Sequence, residues 1–133
     1  MTGLILKLAP NERILINGAV IENGDRRARI AVRTRDVNIL RLRDAIHPGE
    51  AITPVSRVCY DTQLVLTGDR SAEEGRQIVL TGIEQLAQVF DDRDSRKLLA
   101  TATAGLVEGN YYRTLRALRD LLPREARLIA VRT

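Results

Sequence analysis

Side-chain periodicity changes once along this chain, and that change constrains the fold more than any other feature. Up to about residue 46, apolar and polar side chains come in short runs broken by turn residues. Alternation with period two places successive side chains on opposite faces of an extended chain, so this half predicts strands. Leu4-Ile5-Leu6-Lys7-Leu8 stops at Pro10-Asn11, and Glu12-Arg13-Ile14-Leu15-Ile16 stops at Asn17-Gly18. Ala19-Val20-Ile21 then meets Glu22-Asn23-Gly24-Asp25, a further hairpin signal, because Asn-Gly pairs tolerate the positive φ of tight turns.

After His47-Pro48-Gly49 the spacing becomes helical. Thr53 and Pro54 read as an N-cap and first helical position. Val55, Val58, Cys59, Thr62 and Leu66 supply an apolar stripe ending near Gly68, with a strand over residues 63–67 as the alternative. Ser71 and Glu74 suggest a capping box opening a helix to Phe90, with Ile78, Val79, Ile83, Leu86, Val89 and Phe90 inward. Gly75 and Gly82 weaken that helix by about 1 kcal/mol each relative to alanine, so packing must hold it. Residues 91–94 read as a polar connection, Leu98–Val107 as a helix broken by Gly109-Asn110, and residues 111–123 as the last helix, ended by Pro123. Its apolar edge is Tyr111, Leu115, Leu118 and Leu122. The tail 124–133 is open between a peripheral strand, a helical turn and a partner-binding arm. The expected fold class is α+β: a small antiparallel sheet over residues 1–47, then a three- to four-helix bundle over 48–133.

Composition narrows the chemistry. With one Phe, three Tyr and no Trp, the core must be mostly Leu, Ile, Val and Ala. The single cysteine, Cys59, excludes an intramolecular disulfide and a Cys-rich metal cluster. His47 is the only histidine and sits at a turn; Cys59 lies in an apolar stripe. No GxxxxGK[ST] or GxGxxG loop is present. The pairs Glu73-Glu74 and Asp91-Asp92 sit at helix starts or in a linker, where carboxylates serve capping. No catalytic arrangement, cofactor or metal is expected. Neither a leader in MTGLILKLAPNER nor an 18-residue apolar run is visible, which reads as a cytoplasmic protein with no membrane partner.

Charge is segregated. Residues 1–47 hold nine basic and five acidic groups, residues 48–109 six and ten, and residues 110–133 six and two. Two basic ends flank an acidic middle, a pattern that permits a local polyanion site. The densest stretch is RRARIAVRTRDVNILRLRD, residues 26–44, with seven arginines. In an extended chain Arg27, Arg29, Arg33 and Arg35 share one side and Ala28, Ile30, Val32 and Thr34 the other. Arg41 and Arg43 alternate likewise with Leu40 and Leu42. Were the two strands neighbours, six guanidinium groups would crowd one face. Asp36 and Asp44 are the only acids between residues 26 and 47. A solvated sheet face is the bland account, but unrelieved like charge destabilises a ladder and a bound polyanion relieves it. Guanidinium forks pair with phosphate and stack on bases, which favours single-stranded RNA. No aromatic platform accompanies them, since Tyr60, Phe90, Tyr111 and Tyr112 fall in the helical half. Arg113, Arg116 and Arg119 form a second basic stripe, either solvated or an auxiliary contact.

The string LKLAPNERILINGAVIENGDRRARI, with the later ITP, RVCYDTQ and NYYRTLRALRDLLP segments, resembles the FlbT family of flagellum biosynthesis regulators over nearly the whole chain. That resemblance implies post-transcriptional repression of flagellin through the 5′ untranslated region of flagellin mRNA, promoting its decay. It implies FlaF or flagellin as further partners, and no catalytic residues. Residues 3–46 also resemble the carbon storage regulator CsrA, a dimeric mRNA-binding protein. The CsrA resemblance implies RNA contacts at Leu4 and Lys7 on the first strand and Leu42 and Arg43 on the last, and a homodimer or higher oligomer. Leu42 stands where that family usually has histidine. Taken together, the expected RNA-binding residues are Leu4, Lys7, Arg26, Arg27, Arg29, Arg33, Arg35, Arg41, Leu42 and Arg43. The competing expectation is a protein-binding adaptor in flagellum assembly, acting on flagellin, a chaperone or FlaF, with indirect effects on mRNA.

Overall fold

The computed structural model describes residues 4–17, 19–34, 37, 39–42 and 45–132, the last by its backbone alone. Among them, β1 (Leu4–Leu8), β2 (Arg13–Ile16), β3 (Ala19–Glu22), β4 (Ala28–Val32) and β5 (Ile39–Arg41) precede the helices. α1 (Pro54–Leu66), α2 (Ala72–Ala87), α3 (Arg93–Glu108), α4 (Tyr111–Arg119) and α5 (Leu122–Arg132) follow. The expected α+β order holds, with an antiparallel N-terminal half and a C-terminal helical bundle.

The strands form two small antiparallel sheets, β1-β4 and β3-β2-β5. Asn17 takes φ 49°, and β2 and β3 close on each other with Ile16 opposite Ala19, so that Asn-Gly signal marks a true hairpin; Gly18 lies outside the described residues. The signal at Asn23-Gly24 does not mark one. There the chain leaves β3 in one sheet and enters β4 in the other. Asn23 spends its side-chain amide on the carbonyls of Ala9 and Arg26, both at 2.8 Å, instead of closing a two-residue turn.

Alternation on β2 and β5 assigns residues to two cores. Ile14 and Ile39 face β1 and pack with Leu6 and Leu8, while Leu15 and Leu40, directly opposite each other, pack into the helices. A one-residue slip would exchange the two sets, so apolar burial on both faces fixes the register. The central sheet thus lies between the β1-β4 ribbon and the bundle.

α1 begins as expected, with Thr53 and Ser56 capping reciprocally and Pro54 in the first turn. It runs through residues 63–66 as helix, so the alternative strand is absent. The Gln63 side chain instead pairs with the backbone of Ile46, accepting at 2.7 Å and donating at 3.0 Å, which ties the connecting segment to the bundle. Ser71 caps α2 by accepting from the Glu74 amide at 3.2 Å. Val79, Ile83, Leu86 and Phe90 are buried as expected, but Ile78 is 40 % and Val89 57 % exposed. The inward face is narrower than expected because α2 meets α1 along its glycines. A Cβ on Gly82 would lie 2.6 Å from Cγ2 of Val58, and one on Gly75 would collide with Cγ2 of Val65. Their poor helix propensity is offset by close helix approach.

Two boundaries differ from the sequence reading. Asp92 is the N-cap of α3, accepting from the Ser95 amide at 3.0 Å, so the polar connection begins a helix five residues before Leu98. Pro123 starts a helix rather than ending one. The first amides of a helix have no internal acceptor, so proline's missing N–H costs nothing there. α4 therefore stops at Arg119, and the tail, open in the sequence, is the three-turn α5. Buried Glu125 anchors it, its carboxylate accepting from the Val55 amide at 2.9 Å at the start of α1.

Candidate nucleic-acid interface

The turn Ala9-Pro10-Asn11-Glu12 is closed by the Glu12 amide on the Ala9 carbonyl at 3.1 Å, with Asn11 at φ 61°. Proline second and a left-handed Asn third is the type II pattern. A second turn lies against it: Asn11 donates its amide to Gly24 and Asn23 donates to Glu12, both at 2.8 Å. Together with the Asn23 side chain, these bonds hold the β3-β4 connection beside the end of β1. Arg27 thereby lines the same groove as Lys7.

Between these elements lies a groove of about 760 Å³ lined by Lys7, Leu8, Ala9, Arg27, Ala28, Arg29 and Arg41. Lys7 and Arg29 are directly opposite on β1 and β4. Like charges so placed destabilise a ladder unless an anion lies between them. Lys7, Arg27 and Arg29 are exposed, and among the described residues none has an ion-pair partner. Arg41 arrives from the other sheet. Its Nη2 donates to the Lys7 carbonyl at 2.8 Å and its Nη1 lies 3.5 Å from a Glu12 carboxylate oxygen. The floor is aliphatic, Leu8 with Ala9 and Ala28, and no aromatic ring lines the groove.

Four of the expected RNA-binding residues, Lys7, Arg27, Arg29 and Arg41, are thus brought together. The six-guanidinium face is not formed, because β4 pairs with β1 and β5 with β2. Leu4 is 49 % exposed but sits opposite Val32 at the far end of β1, about 10 Å along the strand from Lys7. Arg26 and Arg33 are exposed beyond the two ends of β4, and Leu42 packs against the helical core. Arg35 and Arg43, like Asp36 and Asp44, lie outside the described residues. The sequence reading missed Glu12 and Asn23, which shape the groove. Pro-Asn and Asn-Gly turn chemistry signalled both turns, but not that they would bond to each other.

The second arginine series divides. Arg113 pairs with Glu108 at 3.0 Å on the surface, Arg116 is exposed, and Arg119 is half-buried. Residues three apart drift around a helix by a sixth of a turn per step, so no flat stripe forms. Two of the aromatics are structural: Phe90 is buried, and the Tyr111 hydroxyl donates to Ala72 at 2.9 Å. Burial of Cys59 pushes its thiol up to about 12, so it is inert as a nucleophile near neutral pH. Among the described residues no group of three His, Cys, Asp or Glu could hold a metal ion, and no helix is long and apolar enough to cross a membrane.

The family model described as "Flagellar protein FlbT" matches residues 4–129. A "Probable flagellum biosynthesis repressor protein FlbT" of Rhodopseudomonas palustris is 32 % identical over 128 residues, spanning 96 % of this chain and 98 % of the relative. One of the same description from Mesorhizobium japonicum is 31 % identical over 126 residues, 95 % of this chain and 84 % of the relative. The "Flagellum biosynthesis repressor protein FlbT" of Caulobacter vibrioides is 25 % identical over 122 residues, 92 % and 86 % of the two chains. No solved structure matches. A match across nearly all of the described fold, in both halves, places the chain in the FlbT family of flagellar proteins.

Proposed function

We propose that this protein is a non-enzymatic repressor of flagellum biosynthesis that acts after transcription, by binding the 5′ untranslated region of flagellin mRNA in the groove at the β1-β4 end. The single observation carrying this reading is the Lys7, Arg27 and Arg29 cluster. It is exposed, free of ion pairs among the described residues and held by a scaffold of turn hydrogen bonds. A backbone phosphate between Lys7 and Arg29 relieves their mutual repulsion, and further phosphates meet Arg27. Without aromatic platforms, base contacts fall to arginine planes and the aliphatic floor. Occupancy near the ribosome-binding region blocks translation and leaves the message open to nucleases. In this reading residues 1–47 bind RNA in the cytoplasm, and residues 48–133 serve oligomerisation or docking to FlaF or flagellin.

The test is binding of the purified protein to the flagellin leader of its own source, beside an unrelated RNA and a Lys7→Ala/Arg27→Ala/Arg29→Ala variant with an unchanged circular dichroism spectrum. Preference for the leader that disappears in the variant supports the reading. Absence of saturable binding by the wild type overturns it in favour of a protein-binding adaptor.

The adaptor reading has its own observation. α5 exposes Leu128, Ile129 and Val131 at 43 %, 46 % and 85 %, beside Ile52 at 71 %. Of these, Ile52 and Ile129 line an apolar groove of about 610 Å³ between α5 and residues 45–56.

A further inference from the structure

We infer that Glu12 and Arg41 are positioning residues: an internal clamp between the two sheets that sets the spacing of the cations in the basic groove. The inference rests on the RNA-binding reading and gives Arg41 a role apart from its three cationic neighbours. A nearly buried carboxylate behind a basic groove is the anomaly to be explained. On charge alone Glu12 repels phosphate, and a groove evolved only for positive potential gains by losing it.

The hydrogen bonds say what the carboxylate holds. One Glu12 oxygen accepts from the Ala9 amide at 2.9 Å and fastens the turn that ends β1. The other lies 3.5 Å from Nη1 of Arg41, and these side chains are only 7 % and 14 % exposed. The second nitrogen of the same guanidinium donates to the Lys7 carbonyl at 2.8 Å. Arg41 belongs to β5, and β5 makes no ladder with β1. The fork is therefore a cross-tie from one sheet to the other at the residue whose side chain enters the groove. Lys7 lies opposite Arg29, so fixing the backbone of one fixes the other. Two nitrogens of one planar group thus make a hydrogen bond to Lys7 and an ion-pair contact to Glu12, a geometry that a lysine ammonium does not reproduce.

Charge and position make opposite forecasts for the same substitutions. If Glu12 contributes only its charge, Glu12→Ala and Glu12→Gln bind flagellin leader RNA equally and more tightly than the wild type. If it clamps, Glu12→Ala binds roughly five- to tenfold more weakly, and Glu12→Gln, which still accepts from Ala9, recovers part of that affinity. The salt dependence in both stays close to that of the wild type, because the phosphate-facing cations remain. It falls in Arg29→Ala, which removes such a cation.

Arg41→Lys is the second variant, needed if Glu12→Ala does not fold. It keeps the charge and loses the fork, so the clamp predicts weaker binding at an unchanged salt slope; unchanged affinity overturns it. A readout without RNA is hydrogen exchange at the Ala9 amide, which speeds up in folded Glu12→Ala. Unchanged exchange there overturns the clamp while leaving the RNA reading intact. Wild type that fails to bind RNA overturns both.

Discussion

The two halves of this molecule arrange their basic side chains differently. In the bundle, Arg70 pairs with Asp61, Arg113 with Glu108, and Arg124 with both Asp92 and Asp94. Those ion pairs add modestly to a largely aliphatic core, and Arg57, Arg76, Arg93, Arg116 and Arg127 are exposed around the bundle with no ion-pair partner among the described residues. In the β half, Arg41 pairs with Glu12 and Arg13 with Glu22, yet Lys7, Arg27 and Arg29 gather around one groove with no ion-pair partner among the described residues. Charge neutralised at home serves stability; charge held apart by a rigid frame is available to a ligand. Net charge hides this contrast, since the formal total is +4.

The comparison breaks most easily where the bundle is densest. Leu118 is fully buried at the heart of the helical core. Leu118→Ala should cost about 2–5 kcal/mol in urea unfolding, and a change near zero would mean the bundle is not the stabilising half.

Next in size are substitutions at the helix contact. Gly82→Ala should stabilise by propensity alone, but the new methyl group meets Val58, whose branched side chain is stiff in a helix. A net destabilisation of about 1–3 kcal/mol is expected, reversed in sign when Val58→Ala makes room. Stabilisation in the Val58→Ala background alone would confirm that glycine is there for close packing.

Glu125→Ala tests the tie between α5 and α1. It strips the Val55 amide of its acceptor and should cost about 1–2 kcal/mol by thermal or urea melting, leaving RNA binding unchanged. Impaired RNA binding would show that the two halves are coupled through that helix.

The smallest stability change should come from Arg29→Ala. Exposed and unpaired among the described residues, it should shift folding by no more than about 0.5 kcal/mol, and toward stabilisation if repulsion from Lys7 is felt. Destabilisation beyond that would assign Arg29 a structural partner and weaken the contrast between the halves.

Legibility in the sequence followed the range of the interaction. The strands, the Thr53 and Ser71 caps, the Gly109 stop and most of the core face were readable because each depends on residues within a few positions. The Pro123 boundary was misread because proline's fixed φ suits a helix start as well as a stop, and only the anchor of Glu125 on Val55, seventy residues away, decides between them. Strand pairing failed for the same reason. The alternating arginines were visible, but nothing local says that β4 joins β1 and β5 joins β2. The groove was therefore half legible: its cations could be named, while Glu12, Asn23 and the exclusion of Leu42 and Leu4 arise from turn-to-turn and sheet-to-helix packing.

Everything in the functional reading depends on unpaired cations in the groove meeting backbone phosphates, and the salt dependence of binding to flagellin leader RNA decides it. Lys7→Ala/Arg27→Ala/Arg29→Ala should flatten the plot of log affinity against log salt by about 2 units, since single strands release ~0.7 counterion for each phosphate that a cation neutralises. An unchanged slope in a folded variant would contradict the reading and move the RNA site, if any, away from this groove.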